Sequence, residues 1–464
     1  MKFYNRTKEL KEINHFKNKK PSILVVTGRR RIGKTELIKR IHGHVYFYVD
    51  NKKSEAILIS EYFNELKERF AIDPLIKIET WEEFIQLLFT LGKKKECIFV
   101  FDEFQRFLSI NPSIINQFQK HWDLNHKNSK ILFIFPGSSI GMIKKIFIEN
   151  KAPLFKRAQN ILYLKSFDFS LINQILDDFE IRNFEDKIKI YLMFGGVINY
   201  YALMDFYDVK NINEIFSKLI LRRYAPLKNE IRDIIIEEFG KEHKTYYSIL
   251  SALANGKTTK NEISNLVDIK ATSLSPYLYD LIDLLDIVKY VLPVTKNPNS
   301  KKGRYFLKDN FFKFWFRFIF KNYSYYESEN FSYINKIIKK NINSFFGLQF
   351  EDFCKEFVQN NFYDYPNVGK WWGHYRKDKK RKNLEIDICA INKDKKEILF
   401  GECKWKDNCN PEKIFQELKD KAGYVEWNKS NRREKFVIFA KSFSKKIKKN
   451  NLILYDLNAI KQIL

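Results

Sequence analysis

A glycine-rich loop near the N-terminus constrains the fold of this chain more than any other stretch. The loop follows an apolar run at residues 23–26 and precedes a helical pattern that begins near Glu36. A strand, a glycine loop and a helix in this order form a P-loop, where main-chain N–H groups and the helix N-terminus surround phosphates. The residues that we predict to bind a nucleotide here are Gly28, Arg29, Arg30, Arg31, Ile32, Gly33, Lys34 and Thr35.

Two side chains of this loop have predicted chemical roles. Lys34 is expected to reach the β- and γ-phosphates of ATP as a catalytic residue, and the Thr35 hydroxyl is expected to bind Mg²⁺. The alternative is a chance glycine-lysine turn, which the strand before the loop disfavours. ATP and Mg²⁺ are therefore the predicted cofactors.

A second apolar run, at residues 98–101, ends in two carboxylates, Asp102 and Glu103. A strand that delivers acids beside a P-loop is the Walker B arrangement. We expect Asp102 to join the Mg²⁺ shell and Glu103 to orient or deprotonate the attacking water. The alternative is a strand that merely ends in solvated acids.

The apolar run at residues 131–135 is followed by a proline, a glycine, Ser138 and Ser139. If this strand neighbours the P-loop strand, the hydroxyls lie beside the γ-phosphate, and we predict that Ser138 contacts the nucleotide. The alternative is a simple turn. Strands that alternate with helices predict an α/β fold with a parallel sheet covered on both faces.

Length, hydropathy and cysteine usage place the chain among cytoplasmic proteins of several domains. At 464 residues, roughly three domains are expected. No apolar run is long enough to span a membrane, and the N-terminus has no apolar segment typical of secretion. The five cysteines suit a reducing compartment. Cys403 and Cys409 are not completed by a four-ligand zinc set.

The net charge of +27 has two interpretations. A chain rich in Lys, Asn and Ile can owe part of its excess to coding bias, whereas a basic surface attracts phosphate backbones. The excess is uneven, because residues 370–464 contain 25 Lys and Arg against 13 Asp and Glu. We therefore favour nucleic acid, specifically DNA, as the partner.

The sequence pattern in the middle of the chain predicts a helical lid followed by a winged helix-turn-helix. Residues 168–225 carry no strong strand signal, and Thr259 with Glu262 forms a capping box that opens a later helix. Two short strands then flank a basic loop at residues 297–303. A helix at 270–285 is expected in the major groove, with Lys301 and Lys302 on phosphates. The alternative is a protein-binding winged helix.

The C-terminal strands carry charged residues in a nuclease-like order. Glu402 and Lys404 are two apart and share one strand face, Asp387 lies on the preceding strand, and Glu351 lies on an earlier helix. Glu351, Asp387 and Glu402 are the predicted Mg²⁺ ligands, and Lys404 would position the water or the phosphate. Asp387, Glu402 and Lys404 are the predicted catalytic residues. A Glu-x-Lys pair alone is common by chance, so the prediction depends on the order of these four residues and the elements that carry them. Gln416 is a further candidate residue of this site.

The chain resembles archaeal P-loop ATPases related to the AAA+ and STAND classes. The resemblance covers nearly the whole chain and lies in Arg6, Glu9 and Leu10, the P-loop, residues 101–104, 137–140 and 153–157, and, further on, 309–316, 371–373 and 401–405. It implies that Arg157 is a sensor or finger that contacts a nucleotide phosphate. Ile198 stands where this family usually has proline. The C-terminal region resembles the nuclease-like domain of unknown function that accompanies these ATPases.

The predicted organisation is a P-loop ATPase core (1–165), a helical lid (166–235), a winged helix-turn-helix (236–325) and a small α/β domain of the PD-(D/E)XK restriction-endonuclease type (326–464). The predicted function is an ATP-hydrolysing switch coupled to DNA binding and metal-dependent DNA cleavage. The alternative is a non-catalytic, ATP-gated platform for DNA or protein whose nuclease fold is inactive. A homo-oligomer is compatible with either.

Overall fold

A computed structural model describes residues 1–240, 243–297, 299–377 and 380–464. Pro298, in the predicted basic loop, lies outside the described residues. The chain forms two compact units. The first comprises Met1–Phe167, Val197–Tyr201 and Tyr279–Asp286, and the second comprises Asp168–Gly196, Ala202–Leu278 and Ile287–Leu464.

The elements follow one another along the chain as alternating strands and helices, then helices, then a mainly β region. The strands are β1 (Ser22–Thr27), β2 (His44–Tyr48), β3 (Cys97–Asp102), β4 (Ile131–Gly137), β5 (Asn160–Tyr163), β6 (Val288–Val291), β7 (Arg304–Leu307), β8 (Asn367–Lys377), β9 (Lys380–Asn392), β10 (Glu397–Lys404), β11 (Arg433–Ala440) and β12 (Leu452–Tyr455). The helices up to the second sheet are α1 (Thr7–Lys17), α2 (Lys34–Ile38), α3 (Glu55–Phe70), α4 (Trp81–Lys94), α5 (Phe107–Ile110), α6 (Ser113–Asn125), α7 (Ile140–Phe147), α8 (Phe169–Asp178), α9 (Phe184–Phe194), α10 (Ile198–Phe206), α11 (Ile212–Glu214), α12 (Glu230–Phe239), α13 (His243–Ala254), α14 (Lys260–Val267), α15 (Leu274–Tyr279), α16 (Asn310–Phe314), α17 (Tyr323–Glu327) and α18 (Phe331–Asn361). The last two are α19 (Pro411–Ala422) and α20 (Leu457–Ile463).

The first unit is built on a parallel five-stranded sheet in the order β2-β3-β4-β1-β5. Every residue of β1, β3 and β4 is buried, as expected for central strands covered on both faces. One apolar core, which includes Phe99, Phe101 and Phe133, lies on one face, and a second, which includes Leu24 and Ile134, lies on the other. The predicted α/β fold with a parallel sheet is confirmed.

The sheet order decides which strand ends meet. Strand β4 lies directly between β1 and β3, so the loops after these three strands emerge side by side. Ser22 of β1 pairs with Leu132 of β4, and Ile98 of β3 also pairs with Leu132. The edge strand β5 was absent from the sequence-based prediction; its residues are half-buried or exposed, unlike those of β1, β3 and β4.

In the second unit, helices α12–α15 precede the antiparallel hairpin of β6 and β7. The predicted capping box is present, with the Thr259 side chain accepting from the N–H of Glu262. The predicted helix at 270–285 begins later: α15 starts at Leu274 and is followed after Tyr279 by a π-helical segment, Asp280–Leu284. This segment groups with the first unit.

A second five-stranded sheet, in the order β12-β11-β10-β9-β8, forms the C-terminal part of the second unit. Strands β10, β11 and β12 are parallel, whereas β8, β9 and β10 pair antiparallel. Two features differ from the prediction. Strand β8 occupies a Trp- and Lys-rich tract for which no strand was predicted. Helix α18 begins at Phe331 rather than near residue 347, and its Lys- and Asn-rich first half buries Ile334 and Ile338.

In the described part of the chain, no helix combines the length and the apolar character needed to cross a membrane.

Candidate functional site

The P-loop connects β1 to α2, and both of its glycines have positive φ. Gly28 has φ +153° and Gly33 has φ +90°. A Cβ atom at Gly28 would lie 2.6 Å from both the Ile32 side chain and the Leu164 carbonyl oxygen. Gly28 therefore admits no side chain, and the main chain passes close to these neighbours just before α2, where a phosphate cradle is expected.

The Lys34 ammonium group is hydrogen-bonded to the main chain of this loop. Its Nζ donates to the carbonyl oxygens of Gly28 and Arg29 at 2.7 and 2.9 Å, and the residue is 7% exposed. A buried ammonium bonded to its own loop is in place to bind phosphate oxygens that enter the cradle.

Arg6, which directly precedes α1, contacts the P-loop, a role that the sequence did not reveal. Its guanidinium donates to the carbonyl oxygens of Ile32 (3.1 Å) and Lys165 (2.8 Å) and to Glu9 (3.0 Å). The group also lies over the ring of Phe167, at 4.3 Å from its centre. Arg6 thus ties the loop to the segment that follows β5.

Thr35 and Asp102 come together as the sequence predicted for a Mg²⁺ site. The Thr35 hydroxyl donates to Asp102 Oδ2 at 3.2 Å, and the Glu103 N–H donates to Oδ1 at 3.0 Å. A hydroxyl and a carboxylate beside a phosphate cradle are the oxygen ligands that Mg²⁺ prefers. These residues therefore fit the ion.

Tyr46 is a third group at this position, and sequence reasoning missed it. Its hydroxyl donates to Asp102 Oδ2 at 2.6 Å from the neighbouring strand β2. Burial raises the pKa of Asp102 above its ordinary value, while the hydrogen bonds from Tyr46 and Thr35 oppose that rise. Burial, followed by the charge of Asp102, raises the pKa of Tyr46, so its hydroxyl stays protonated as a donor.

Glu103 lies next to the loop that follows β4. Ser138 Oγ donates to Glu103 Oε2 at 2.7 Å, the Ser138 N–H donates to the same atom at 3.4 Å, and the Gln105 side chain donates to it as well. Glu103 has φ +59°, a left-handed conformation that is uncommon for a residue with a side chain. The contacts of Ser138 and Gln105 fix the direction of this carboxylate.

Arg157 forms a bidentate ion pair with Asp123 of α6. Its Nε and Nη2 atoms donate to the two carboxylate oxygens at 2.8 and 2.7 Å. Another guanidinium nitrogen donates to the carbonyl oxygens of Pro153 and Phe155. These contacts join the Arg157 side chain to α6 and to the turn that precedes Arg157. Its role toward a nucleotide stays a prediction.

Two later segments of the chain lie against this site within the first unit. The N–H of Asn199, beside the position where Ile198 replaces the family proline, donates to the Arg31 carbonyl oxygen at 3.3 Å. Ser139 Oγ donates to the Leu284 carbonyl oxygen at 3.4 Å. The P-loop and the loop after β4 therefore each contact a segment that continues into the second unit.

The second candidate site lies where the last residues of β10 are next to the middle of β9. Lys404 Nζ donates to Glu402 Oε1 at 2.7 Å, which agrees with their expected common face. Glu402 is 5% exposed, and its two carboxylate oxygens also accept from Lys421 Nζ at 2.9 and 2.8 Å. Lys421 of α19 was not predicted. Gln416, the candidate from the same helix, is exposed and bonds Asp420 instead.

Asp387 and Glu351 complete this group of charges. Asp387 Oδ2 accepts from the Cys403 N–H at 2.9 Å, and Glu351 Oε2 accepts from Lys370 Nζ at 2.5 Å. Burial, together with the charges of Glu351 and Glu402, raises the pKa of Asp387 to about 7. Such a shift is typical of carboxylates that share one site.

The described ranges contain no cluster of three or more His, Cys, Asp or Glu arranged to hold a metal ion. Glu351, Asp387 and Glu402 influence one another electrostatically, but each is already bonded within the protein. The metal-ligand role of these three carboxylates therefore stays a prediction.

Comparison with known proteins gives the family. A model of an ATPase domain predominantly from Archaea matches residues 3–204, and a model of archaeal and bacterial proteins of unknown function matches residues 315–417. An uncharacterized protein of Methanocaldococcus jannaschii is 32% identical over 442 residues, 91% of this chain and 92% of that protein. Another from the same organism is 24% identical over 308 residues, 59% of this chain and 56% of that protein.

Among solved structures, the Walker-type ATPase of Pyrococcus abyssi matches with a TM-score of 0.51 and 17% identity, over 68% of this chain and 96% of that chain. At this identity the likeness shows the fold alone. The fold and the loop define an ATP-binding P-loop ATPase domain. The chain belongs to the archaeal P-loop ATPase family in which this domain is joined to a C-terminal region of unknown function.

Proposed function

We propose that this protein is a Mg²⁺-dependent ATPase whose hydrolysis cycle switches its interaction with DNA. The observation that carries the hydrolysis step is the pairing of Ser138 with Glu103 beside the Thr35–Asp102 contact. Glu103 would accept the proton of the attacking water, and Lys34 would neutralise charge on the phosphates. Mg²⁺, held by Thr35 and Asp102, would stabilise negative charge on the phosphate oxygens.

The hydrolysis proposal is tested by two variants that separate binding from turnover. Phosphate release from ATP is expected in the wild type, and Lys34→Ala should abolish both nucleotide binding and release. Glu103→Gln should keep nucleotide binding and lose turnover. Lys39→Ala, an exposed change at the end of α2, is the matched control. Binding of ATP by the wild type without phosphate release would contradict the proposal.

Coupling to the rest of the chain is supported by the segment Tyr279–Asp286, which directly continues α15. A Cβ atom at Gly141 would lie 2.4 Å from the Leu284 side chain and 2.5 Å from the Asp283 carbonyl oxygen. Lys144 Nζ lies 3.9 Å from Asp283. A change at the γ-phosphate that moves the Ser138–Ser139 loop would therefore act on the end of the predicted recognition helix.

DNA binding is supported by the helix order, the hairpin and the exposed polar surface of the predicted winged helix-turn-helix. Lys270, Thr272, Ser273 and Ser275 are exposed at and before the start of α15, and Lys301 and Lys302 are exposed in the hairpin. Positive and hydroxyl side chains at these positions suit phosphate and base contacts. A labelled duplex should bind with an affinity that depends on nucleotide and falls steeply with salt.

Cleavage of DNA by Glu351, Asp387, Glu402 and Lys404 is the further part of this proposal. Incubation of plasmid DNA with Mg²⁺ or Mn²⁺ should give products that disappear in Lys404→Ala. Retention of those products in the variant would assign the activity to a contaminant.

A second candidate function is an ATP-gated binding platform without cleavage. It is favoured by Glu402, whose two oxygens are both occupied by ammonium groups of Lys404 and Lys421. Two ammonium groups beside this carboxylate compete with a metal ion for its oxygens. If no DNA substrate is cut with or without ATP while DNA binding persists, the platform is the better description.

A further inference from the structure

A cluster of four lysines surrounds Asp352 in the second unit, beside the candidate nuclease site. Asp352 Oδ2 lies 3.1 Å from Lys313 Nζ, and its Oδ1 atom lies 3.5 Å from both Lys289 Nζ and Lys355 Nζ. Lys370, bonded to the adjacent Glu351, also attracts Asp352 electrostatically. We name Lys289, Lys313, Lys355 and Lys370 the lysine cluster.

The lysine cluster is assembled from distant parts of the chain. Lys289 comes from hairpin strand β6, Lys313 from α16, Lys355 from α18 and Lys370 from β8. The hairpin is fixed to the sheet here, because the Val294 N–H donates to the Lys370 carbonyl oxygen at 3.0 Å. The predicted winged helix-turn-helix thus supplies a charge to the border of the C-terminal site.

The charges of this group do not balance within the protein. Four ammonium groups act on three carboxylates, Asp352, Glu351 and, through Lys370, Asp387, so positive charge is in excess in this group. The four lysine side chains are 15–27% exposed, so they are mostly removed from water and still reachable from it. Grouped like charges with little water around them destabilise one another unless an anion joins them.

The effect of this crowding is visible at Lys289. Burial and the neighbouring ammonium groups of Lys355, Lys313 and Lys370 lower its pKa to about 8, against the attraction of Asp352. Burial likewise lowers the pKa of Lys313. An anion placed among these groups would raise the pKa of both lysines back toward the ordinary value.

We propose that the lysine cluster binds the phosphodiester backbone of a nucleic-acid strand and leads it to Glu351, Asp387 and Glu402. This proposal rests on the proposed interaction with DNA and specifies where the strand runs. Lys370 links the two groups, because it bonds Glu351 and also interacts with the charge of Asp387. Consecutive phosphates would then lie on the cluster and at the carboxylates.

The test measures binding of fluorescein-labelled single-stranded and duplex DNA to the full chain by anisotropy, in EDTA and over a range of salt. The double variant Lys313→Gln/Lys355→Gln should bind about tenfold more weakly, and its salt slope on duplex DNA should be smaller by about 0.9 for each phosphate that is no longer neutralised. Lys339→Gln/Lys340→Gln, two exposed lysines of the same helix α18, is the matched control and should bind as the wild type does.

A second variant separates charge from folding. Asp352→Asn removes the carboxylate at the centre and should strengthen DNA binding, whereas damage to the fold would weaken it. Lys355→Arg should retain wild-type affinity. Equal DNA binding by the wild type and Lys313→Gln/Lys355→Gln would overturn the proposed role of the lysine cluster and leave the proposed DNA function intact. If the wild type does not bind DNA, the proposed role of the lysine cluster and the proposed DNA function are both wrong.

A free anion is the other source of the same chemistry. Inorganic sulfate or pyrophosphate that stabilises the wild type against heat, but not the double variant, would place an anion on the cluster. If this occurs while DNA affinity is identical in the two proteins, the cluster binds small anions and the proposed strand path is wrong.

Discussion

Ser138 Oγ donates a hydrogen bond of 2.7 Å to Glu103 Oε2, which joins the loop after β4 to the carboxylate that follows β3. The two residues are 35 positions apart and meet because β3 and β4 are neighbours in the sheet. This contact gives the first prediction.

Ser138→Ala should lower the rate of ATP hydrolysis about 10- to 100-fold with little change in nucleotide affinity. A hydrogen bond to a charged group contributes about 1.5–3 kcal/mol, and here it directs the carboxylate that would activate water. Single-turnover phosphate release measures the effect. Ser109→Ala, an exposed serine of α5, is the control, and an equal rate in both variants would contradict the role of Ser138.

Tyr46→Phe should raise the Mg²⁺ concentration needed for half-maximal hydrolysis about tenfold, as the removal of a partner from a metal ligand commonly does. The variant removes the donor to Asp102 Oδ2, so the pKa of Asp102 rises further and its charged form is less stable. A Mg²⁺ titration at saturating ATP measures this. Tyr48 lies on the same strand as Tyr46, and its hydroxyl accepts from Arg106; Tyr48→Phe should leave the requirement unchanged.

Arg157→Ala and Asp123→Ala should have matching, small effects on stability and none on turnover per folded molecule. The pair is partly exposed, so its removal should cost at most about 1 kcal/mol of unfolding free energy. Chemical denaturation and phosphate release measure the two quantities. Loss of turnover in Arg157→Ala alone would instead support the phosphate contact that the family resemblance implied.

Gly141→Ala should uncouple DNA binding from the nucleotide state while ATP turnover stays within about threefold. The added methyl group would collide with Leu284 and Asp283, so the segment Tyr279–Asp286 has to move away from the loop after β4. DNA affinity with ATP and with ADP should then become equal. Lys145→Ala on the same helix is the control, and an undiminished nucleotide effect in Gly141→Ala would refute this route.

DNA affinity should fall as the pH rises from 7 to 9. Lys289 has a pKa of about 8, so it is charged below that value and neutral above it, and its contribution to anion binding disappears in this interval. The groups around it are Asp352 and Lys355 of α18, Lys313 of α16 and Lys370 of β8. Lys289→Gln should flatten the profile, and an equally steep decline in this variant would assign the titration to another group.

The sequence could predict the parallel sheet and the strand ends of the ATPase unit, because continuous apolar runs identify buried strands and their order along the chain. It placed Asp102, Glu103 and Ser138 after such runs, and the structure brings them together. Tyr46 was not predictable in this way. Its hydroxyl meets Asp102 across 56 residues, and a tyrosine in a strand carries no signal of its partner.

At the C-terminal candidate site, too, the sequence located a helix but not the side chain that contacts the site. Helix α19 buries Ile414 and Leu418, and such a helical pattern does not say which polar residue turns toward β10. Gln416 bonds within its own helix, four residues on, whereas Lys421 reaches Glu402. Strand β8 was missed because its tryptophans and lysines do not alternate as a half-buried strand should.

Helix α18 has 31 residues and is therefore about 46 Å long. One turn of it carries Glu351, and the next carries Phe353 and Glu356, which contact α8 and α9: the Tyr191 hydroxyl donates to Glu356 at 2.8 Å, and Phe353 packs edge-on to Phe169. Asp387 and Glu402, in contrast, are attached to strands. The helix that carries Glu351 is thus packed on α8 and α9, so a tilt of α18 would change the distance from Glu351 to Asp387 and Glu402.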